Sequence, residues 1–190
     1  MGGKIKISIT GTPGVGKSTV SKILVEKLKE FFKNDFIHIN ITEVVKENRL
    51  YSEKDEEMDS YVVDFKKLND FIDKISKKSE NIILDGHLSH SLDSNYTIVL
   101  RCNPEILIKR LRERGYSEKK VMENVQAEIL DVCLAEAIEN QPHSENSVYE
   151  IDTTNRSSES IVNEIVTALK NKESKVGCVN WLDDYFYLLE

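Results

Sequence analysis

The most constraining stretch of this chain is its first eighteen residues. From Lys4 to Thr10, isoleucine alternates with lysine and serine or threonine, the period of a strand. The run Gly11-Thr12-Pro13-Gly14-Val15-Gly16-Lys17-Ser18 follows without a gap, and Val20, Ile23, Leu24, Leu28 and Phe31 then fall on one helical face. Strand, glycine loop and helix in this order form the phosphate-binding arrangement G-x-x-x-x-G-K-S. Its glycines admit backbone conformations that side chains forbid, so successive N–H groups can turn around a β-phosphate while the helix start adds its positive end. Lys17 is expected at the β- and γ-phosphates, and Ser18 at a Mg²⁺ ion arriving with the nucleotide.

The remaining pattern alternates strands with helices. Phe36 to Asn40 reads as a short strand and Thr42 to Leu50 as a short helix. From about Glu43 to Glu80 half the positions are charged and apolar residues are too sparse for a second core, which suits a flap lying over the main body. Asn81 to Asp85 and Tyr96 to Arg101 are short apolar runs, as expected of strands buried on both faces. Asn103 and Pro104 open a helix that stops at Gly115, Ser117 is placed to cap one long helix through about Glu139, and Val148 to Asp152 and Ser158 to Leu169 supply a last strand and helix. Parallel strands need long crossovers, so the expectation is one three-layer α/β/α domain around a parallel sheet. Trp181, Leu182, Tyr185, Phe186, Tyr187, Leu188 and Leu189 form an apolar tail expected to dock on that body.

Composition excludes several classes. Across 190 residues there is no apolar run long enough to span a bilayer, nor a signal-peptide core, so no membrane association is expected. Cys102, Cys133 and Cys178 are odd in number and far apart, which argues against a disulfide framework and for a reducing, cytoplasmic setting, with the nucleus open for a eukaryotic chain. A net charge of −7 argues against sequence-independent nucleic-acid binding, and nothing points to sequence-specific DNA recognition. Within that acidic chain, Lys109 to Lys120 carries six basic residues against Glu113 and Glu118. The run is either a solvated helix face or a device for holding phosphates.

Other residues gather around the loop. Asp85 ends its strand on the sheet edge that carries the loop, where it can hold Mg²⁺ through water or orient an attacking group. His87 and His90 form an H-x-x-H pair without an evident third ligand; His87 is either structural or a hydrogen-bond donor to phosphate or nucleophile. Arg110 and Arg114, four apart, can reach the same phosphates, and Gly115 supplies the turn of a hinged lid that excludes water. A GTPase reading fails for want of N-K-x-D, since Asn171-Lys172-Glu173 is followed by Ser174.

These strings together resemble a known family. The loop through Thr19, Asp85-Gly86-His87-Leu88-Ser89-His90, Leu100-Arg101 with Pro104, Arg112-Glu113-Arg114-Gly115-Tyr116-Ser117-Glu118-Lys119-Lys120-Val121, and Glu123-Asn124-Val125-Gln126-Ala127-Glu128-Ile129 are similar to adenylate kinase isoenzyme six and its archaeal relatives. The resemblance implies a P-loop nucleoside monophosphate kinase-like fold with a monophosphate-binding flap at about 40–63 and a short lid at about 113–123. It implies ATP and Mg²⁺ as cofactors, AMP or another nucleoside monophosphate as substrate, and ATPase activity tied to a small ribosomal subunit protein in a pre-ribosomal particle. The implied ATP site comprises Gly11, Gly14, Val15, Gly16, Lys17, Ser18, Thr19 and Arg114, with Arg156 flanking the adenine. Lys17, Asp85, His87, Arg110 and Arg114 are the implied catalytic groups, Asn40 and Lys46 the monophosphate contacts, and Ser18 and Asp85 the metal ligands. The chain departs from ordinary adenylate kinases in lacking an arginine after Asp85-Gly86 and a second arginine pair in the lid, which leaves room for ATP hydrolysis beside kinase chemistry.

Overall fold

The computed structural model describes residues 4–55, 60–78, 81–140 and 148–189. Five parallel strands form the main sheet: β1 (Ile5–Thr10), β2 (Phe36–Asn40), β5 (Asn81–Asp85), β6 (Tyr96–Arg101) and β7 (Val148–Asp152), in the order β2-β5-β1-β6-β7. A separate antiparallel hairpin joins β3 (Tyr51–Asp55) to β4 (Ser60–Val63); residues 56–59 of the expected flap lie outside the described residues. The helices are α1 (Lys17–Phe32), α2 (Ile41–Glu47), α3 (Phe65–Lys78), α4 (Pro104–Glu113), α5 (Glu118–Ile129), α6 (Val132–Glu139), α7 (Ser158–Asn171) and α8 (Trp181–Tyr185). The three-layer α/β fold is the one expected.

Alternation along the strands explains the layers. Ile7, Ile9, Ile83, Ile98 and Leu100 belong to a large cluster with Leu24 and Leu28 of α1, Leu107 and Leu111 of α4, Val121 and Val125 of α5 and Ile161 and Ile165 of α7. Ile82 and Leu84 point the other way, into a second cluster with Val45, Leu50, Leu68 and Ile72. Several helix starts are capped by a side-chain oxygen: Asn103 Oδ1 accepts the N–H groups of Glu105 (3.0 Å) and Ile106 (3.3 Å), and the Ser117 and Ser157 side chains accept those of Lys120 and Ser160.

Three expectations are corrected. The stretch from Glu43 to Glu80 does hold a core: Val45, Leu50, Leu68 and Ile72 are all under 9% exposed, and at roughly 1.5–3 kcal/mol for each buried side chain they suffice to root the flap. Helix α3 carries a clear helical period within its charged stretch: Leu68, Phe71, Ile72 and Ile75 recur at i, i+3, i+4 and i+7 and all pack in or against the second cluster. The long helix from Ser117 is two helices, since Asp131 adopts φ 57° and ends α5. Phe31 is 47% exposed rather than in the core; it lies one turn beyond the buried stripe, and the Lys170 ammonium covers its ring at 3.6 Å.

The tail docks in part. Tyr149 forms a parallel bridge with Lys175, extending the sheet edge, and Trp181, Tyr185, Leu188 and Leu189 pack against the large cluster. Leu182, Phe186 and Tyr187 stay exposed. Among the described residues no helix is long and apolar enough to cross a membrane.

Candidate functional site

The phosphate loop leaves the centre of the sheet between β1 and α1, and two of its glycines, Gly11 at φ 132° and Gly14 at φ 98°, hold backbone conformations that side chains rarely adopt. A Cβ on Gly11 would stand 2.3 Å from the Leu100 carbonyl oxygen, and one on Gly14 would stand 2.7 Å from Leu107 Cδ1. Above Gly16 there is open space, and Ser18 and Thr19 are exposed. Val15 is buried, its carbonyl accepting the Thr153 hydroxyl at 3.1 Å. Lys17 folds back over the loop, and its Nζ donates to the carbonyls of Gly11 (2.7 Å) and Thr12 (3.0 Å). Burial of the ammonium lowers its pKa to about 8, against the opposing pull of Asp85 and Glu128. A desolvated cation whose acceptors are its own loop carbonyls fits an anionic ligand. The Ser18 hydroxyl and the Asp85 carboxylate are oxygen donors of the type Mg²⁺ takes.

Asp85 ends β5 with 1% exposure, and a residue the sequence reading overlooked holds it: His38 Nε2 lies 3.2 Å from Asp85 Oδ2. His38 stands in β2, and only the pairing of β2 with β5 brings the two together. His87 Nδ1 lies 3.4 Å from the Gly11 carbonyl and 3.5 Å from Cys133 Sγ. Burial first, then the Lys17 charge, pushes the His87 pKa below the usual histidine value, so the ring is neutral at pH 7. His90 is fully buried between Thr10 Oγ1 (2.6 Å) and Glu136 Oε2 (2.8 Å).

A cleft of about 680 Å³ opens beside the loop. Pro13, His87 and Leu88 line one wall; Ile41, Val45, Lys46, Tyr61 and Val63 line the flap side; Tyr116, Lys120, Glu123 and Asn124 close it from the lid. Lys46 thus faces the cleft, whereas the Asn40 side chain caps α2 by accepting the Glu43 N–H at 3.1 Å. Arg110 Nη1 donates to the Gly14 carbonyl at 3.2 Å, and Arg114 ends α4, exposed, with its charge felt at Lys17. Arg156 is engaged by Glu164 (2.7 Å) and the Asp152 carbonyl (3.2 Å). Arg112 pairs with Glu118, so that part of the basic run is a solvated salt bridge.

Loop, sheet order and cleft define a P-loop kinase architecture. The fold is shared with shikimate kinase from Bacteroides thetaiotaomicron (TM-score 0.57, 19% identity, 87% of this chain and 98% of that one). The AAA domain family matches residues 7–131. Over 182 residues the chain is 57% identical to a protein of Methanocaldococcus jannaschii named "Putative adenylate kinase", covering 96% of each chain. Like-named proteins of Methanococcus maripaludis (56% identity, 97% of this chain and 99% of that one) and Pyrococcus abyssi (42%, 94% and 92%) match nearly as fully. The chain belongs to this family of adenylate kinase-like P-loop proteins.

Proposed function

We propose that the protein is a Mg²⁺-dependent nucleoside monophosphate kinase that converts ATP and AMP to two ADP. The observation that carries the reading is the Lys17 ammonium folded onto the carbonyls of a phosphate loop that opens on a cleft walled by flap and lid. ATP lies with its phosphates on Gly11, Gly14, Val15, Gly16, Lys17, Ser18 and Thr19 and with Arg114 near them, while Arg156 borders the base. The monophosphate enters on the flap side against Lys46, with Asn40 capping the helix that carries it. An oxygen of its phosphate attacks the γ-phosphorus as the bond to the β,γ-bridging oxygen breaks, and Lys17, Arg110 and Arg114 carry the charge spread over the transferred group. Ser18 and Asp85 would hold Mg²⁺, which supplies charge neutralisation at the phosphates. The lid keeps water from competing with the acceptor.

A second reading, ATP hydrolysis in small ribosomal subunit maturation as in adenylate kinase isoenzyme six, is favoured by His87. A neutral imidazole 3.4 Å from the loop carbonyl of Gly11 is placed to orient a water. One assay separates the two: ADP formation from ATP and Mg²⁺ with each nucleoside monophosphate, then with a small-subunit protein. The first reading expects turnover to require the monophosphate and Lys17→Ala to reduce it at least about 100-fold. Stimulation by the protein alone, lost in His87→Ala, would favour the second. Near-wild-type turnover in a folded Lys17→Ala variant would overturn both.

A further inference from the structure

Arg101 closes β6 with 1% exposure, yet it faces three carboxylates. Its Nε donates to Glu128 Oε1 (2.8 Å), its Nη1 to Glu150 Oε1 (2.6 Å), and its Nη2 both to the Glu128 carbonyl (2.8 Å) and to Asp131 Oδ1. Burial works against the charged guanidinium, but Glu128 and Asp131 outweigh it and hold its pKa above the ordinary arginine value. Glu128 is 2% exposed, in the last turn of α5, and takes two further donors. The Cys102 N–H reaches Oε1 at 3.1 Å, and the hydroxyl of Thr12, in the phosphate loop, reaches Oε2 at 2.5 Å. The same helix lines the cleft along its length, through Lys120, Glu123, Asn124 and Ala127.

Such a cluster is a poor device for stability alone, because apolar side chains of similar volume often hold a core as well or better. What it supplies is direction. One guanidinium grips the end of α5 and, through Asp131, the residue whose φ of 57° breaks the helix there. The remaining Glu128 oxygen is committed to the loop.

We propose that Glu128 is a positioning residue for phosphoryl transfer. Pinned by Arg101, it ties Thr12 to the inner end of α5, so that the phosphate loop and the lid helix hold one relative geometry when a nucleotide enters. Glu128 touches no substrate and acts through Thr12. The kinetic arm of its test rests on the kinase reading above; the exchange arm does not.

The test compares Thr12→Val, which removes the hydroxyl and leaves the Arg101 pair, with Glu128→Gln and the double variant, each checked for an intact melting transition. In the wild type, Mg²⁺ with ADP should slow amide exchange across residues 118–127. In Thr12→Val the ADP affinity should stay within about threefold while that slowing disappears. The kcat for ATP with AMP should fall about tenfold in each single variant with KM for ATP within about twofold, the double should be no slower than the worse single, and Thr12→Ser should restore the rate. Wild-type slowing of exchange in Thr12→Val, or losses that multiply in the double variant, would overturn the tether. A wild type without monophosphate-dependent turnover would indict the kinase reading instead, and exchange would then decide the tether. Should Glu128→Gln not fold, Thr12→Val carries the test.

Discussion

The loop wall and the flap wall of the candidate site, of which only the first reaches behind the cleft to Lys17 and Asp85, are built differently. Lys17, Asp85 and His87 stand at the edge of the main sheet over the large cluster, and each is held by a neighbour from another element: a loop carbonyl, His38, or Gly11 and Cys133. The flap wall rests on the smaller cluster, and its β3 strand is exposed from Ser52 to Asp55. In the kinase reading, the groups assigned to the reacting atoms are thus held by the main scaffold, while those assigned to the monophosphate sit on the second cluster and beside an exposed hairpin. Each wall can be broken separately.

The largest effect is expected beneath the loop wall. Arg101→Met leaves Glu128 and Glu150 buried without their counter-charge, and removing one partner of a buried pair costs about 3–5 kcal/mol. The melting temperature should fall by roughly 10 °C or more by calorimetry. A drop of less than about 3 °C would show that the loop wall does not depend on this cluster.

The flap wall is broken from its root. A Cβ on Gly86 would stand 2.8 Å from Ile41 Cβ, a branched atom close to the backbone that cannot swing aside. Gly86→Ala should therefore push α2 outward at about 1–3 kcal/mol. We expect KM for the monophosphate to rise several-fold while ADP binding to the loop changes by less than about twofold. An equal rise for ATP would mean that the walls are not independent.

The same contrast explains what was legible in the sequence. The loop, its strand and its helix are local, and their spacing specifies them outright; the same holds for Asn103-Pro104 and the Ser117 cap of α5. The helical period of α3 was equally legible in Leu68, Phe71, Ile72 and Ile75, but the cluster they join was not, because its other half comes from the sheet. Asp131 breaks a helix that periodicity alone would continue, for a reason lodged thirty residues earlier in Arg101. His38 and Glu128 were missed for the same cause. Each acquires its role only from a partner 47 or 116 residues away, and no local pattern encodes that.

The smallest effect concerns the loop wall's own cation. Burial lowers the Lys17 pKa from 10.5 to about 8, so the folded protein releases this proton before the unfolded chain does. Burying the ammonium therefore costs stability at pH below 8, and that cost is relieved as pH rises from 8 toward 10.5. Nucleotide affinity must run the other way, because phosphates are gripped by the charged form. If only that form binds, the Kd for ADP should about double between pH 7 and pH 8 and rise roughly tenfold by pH 9, with proton uptake on binding visible by calorimetry in buffers of different ionisation enthalpy. Opposite slopes of stability and affinity across the same window are the signature of this lysine, since a general alkaline loosening would weaken both together. A Kd unchanged from pH 7 to pH 9 would mean that Lys17 keeps its ordinary charge in the free protein, and that the loop wall is wetter than its geometry implies.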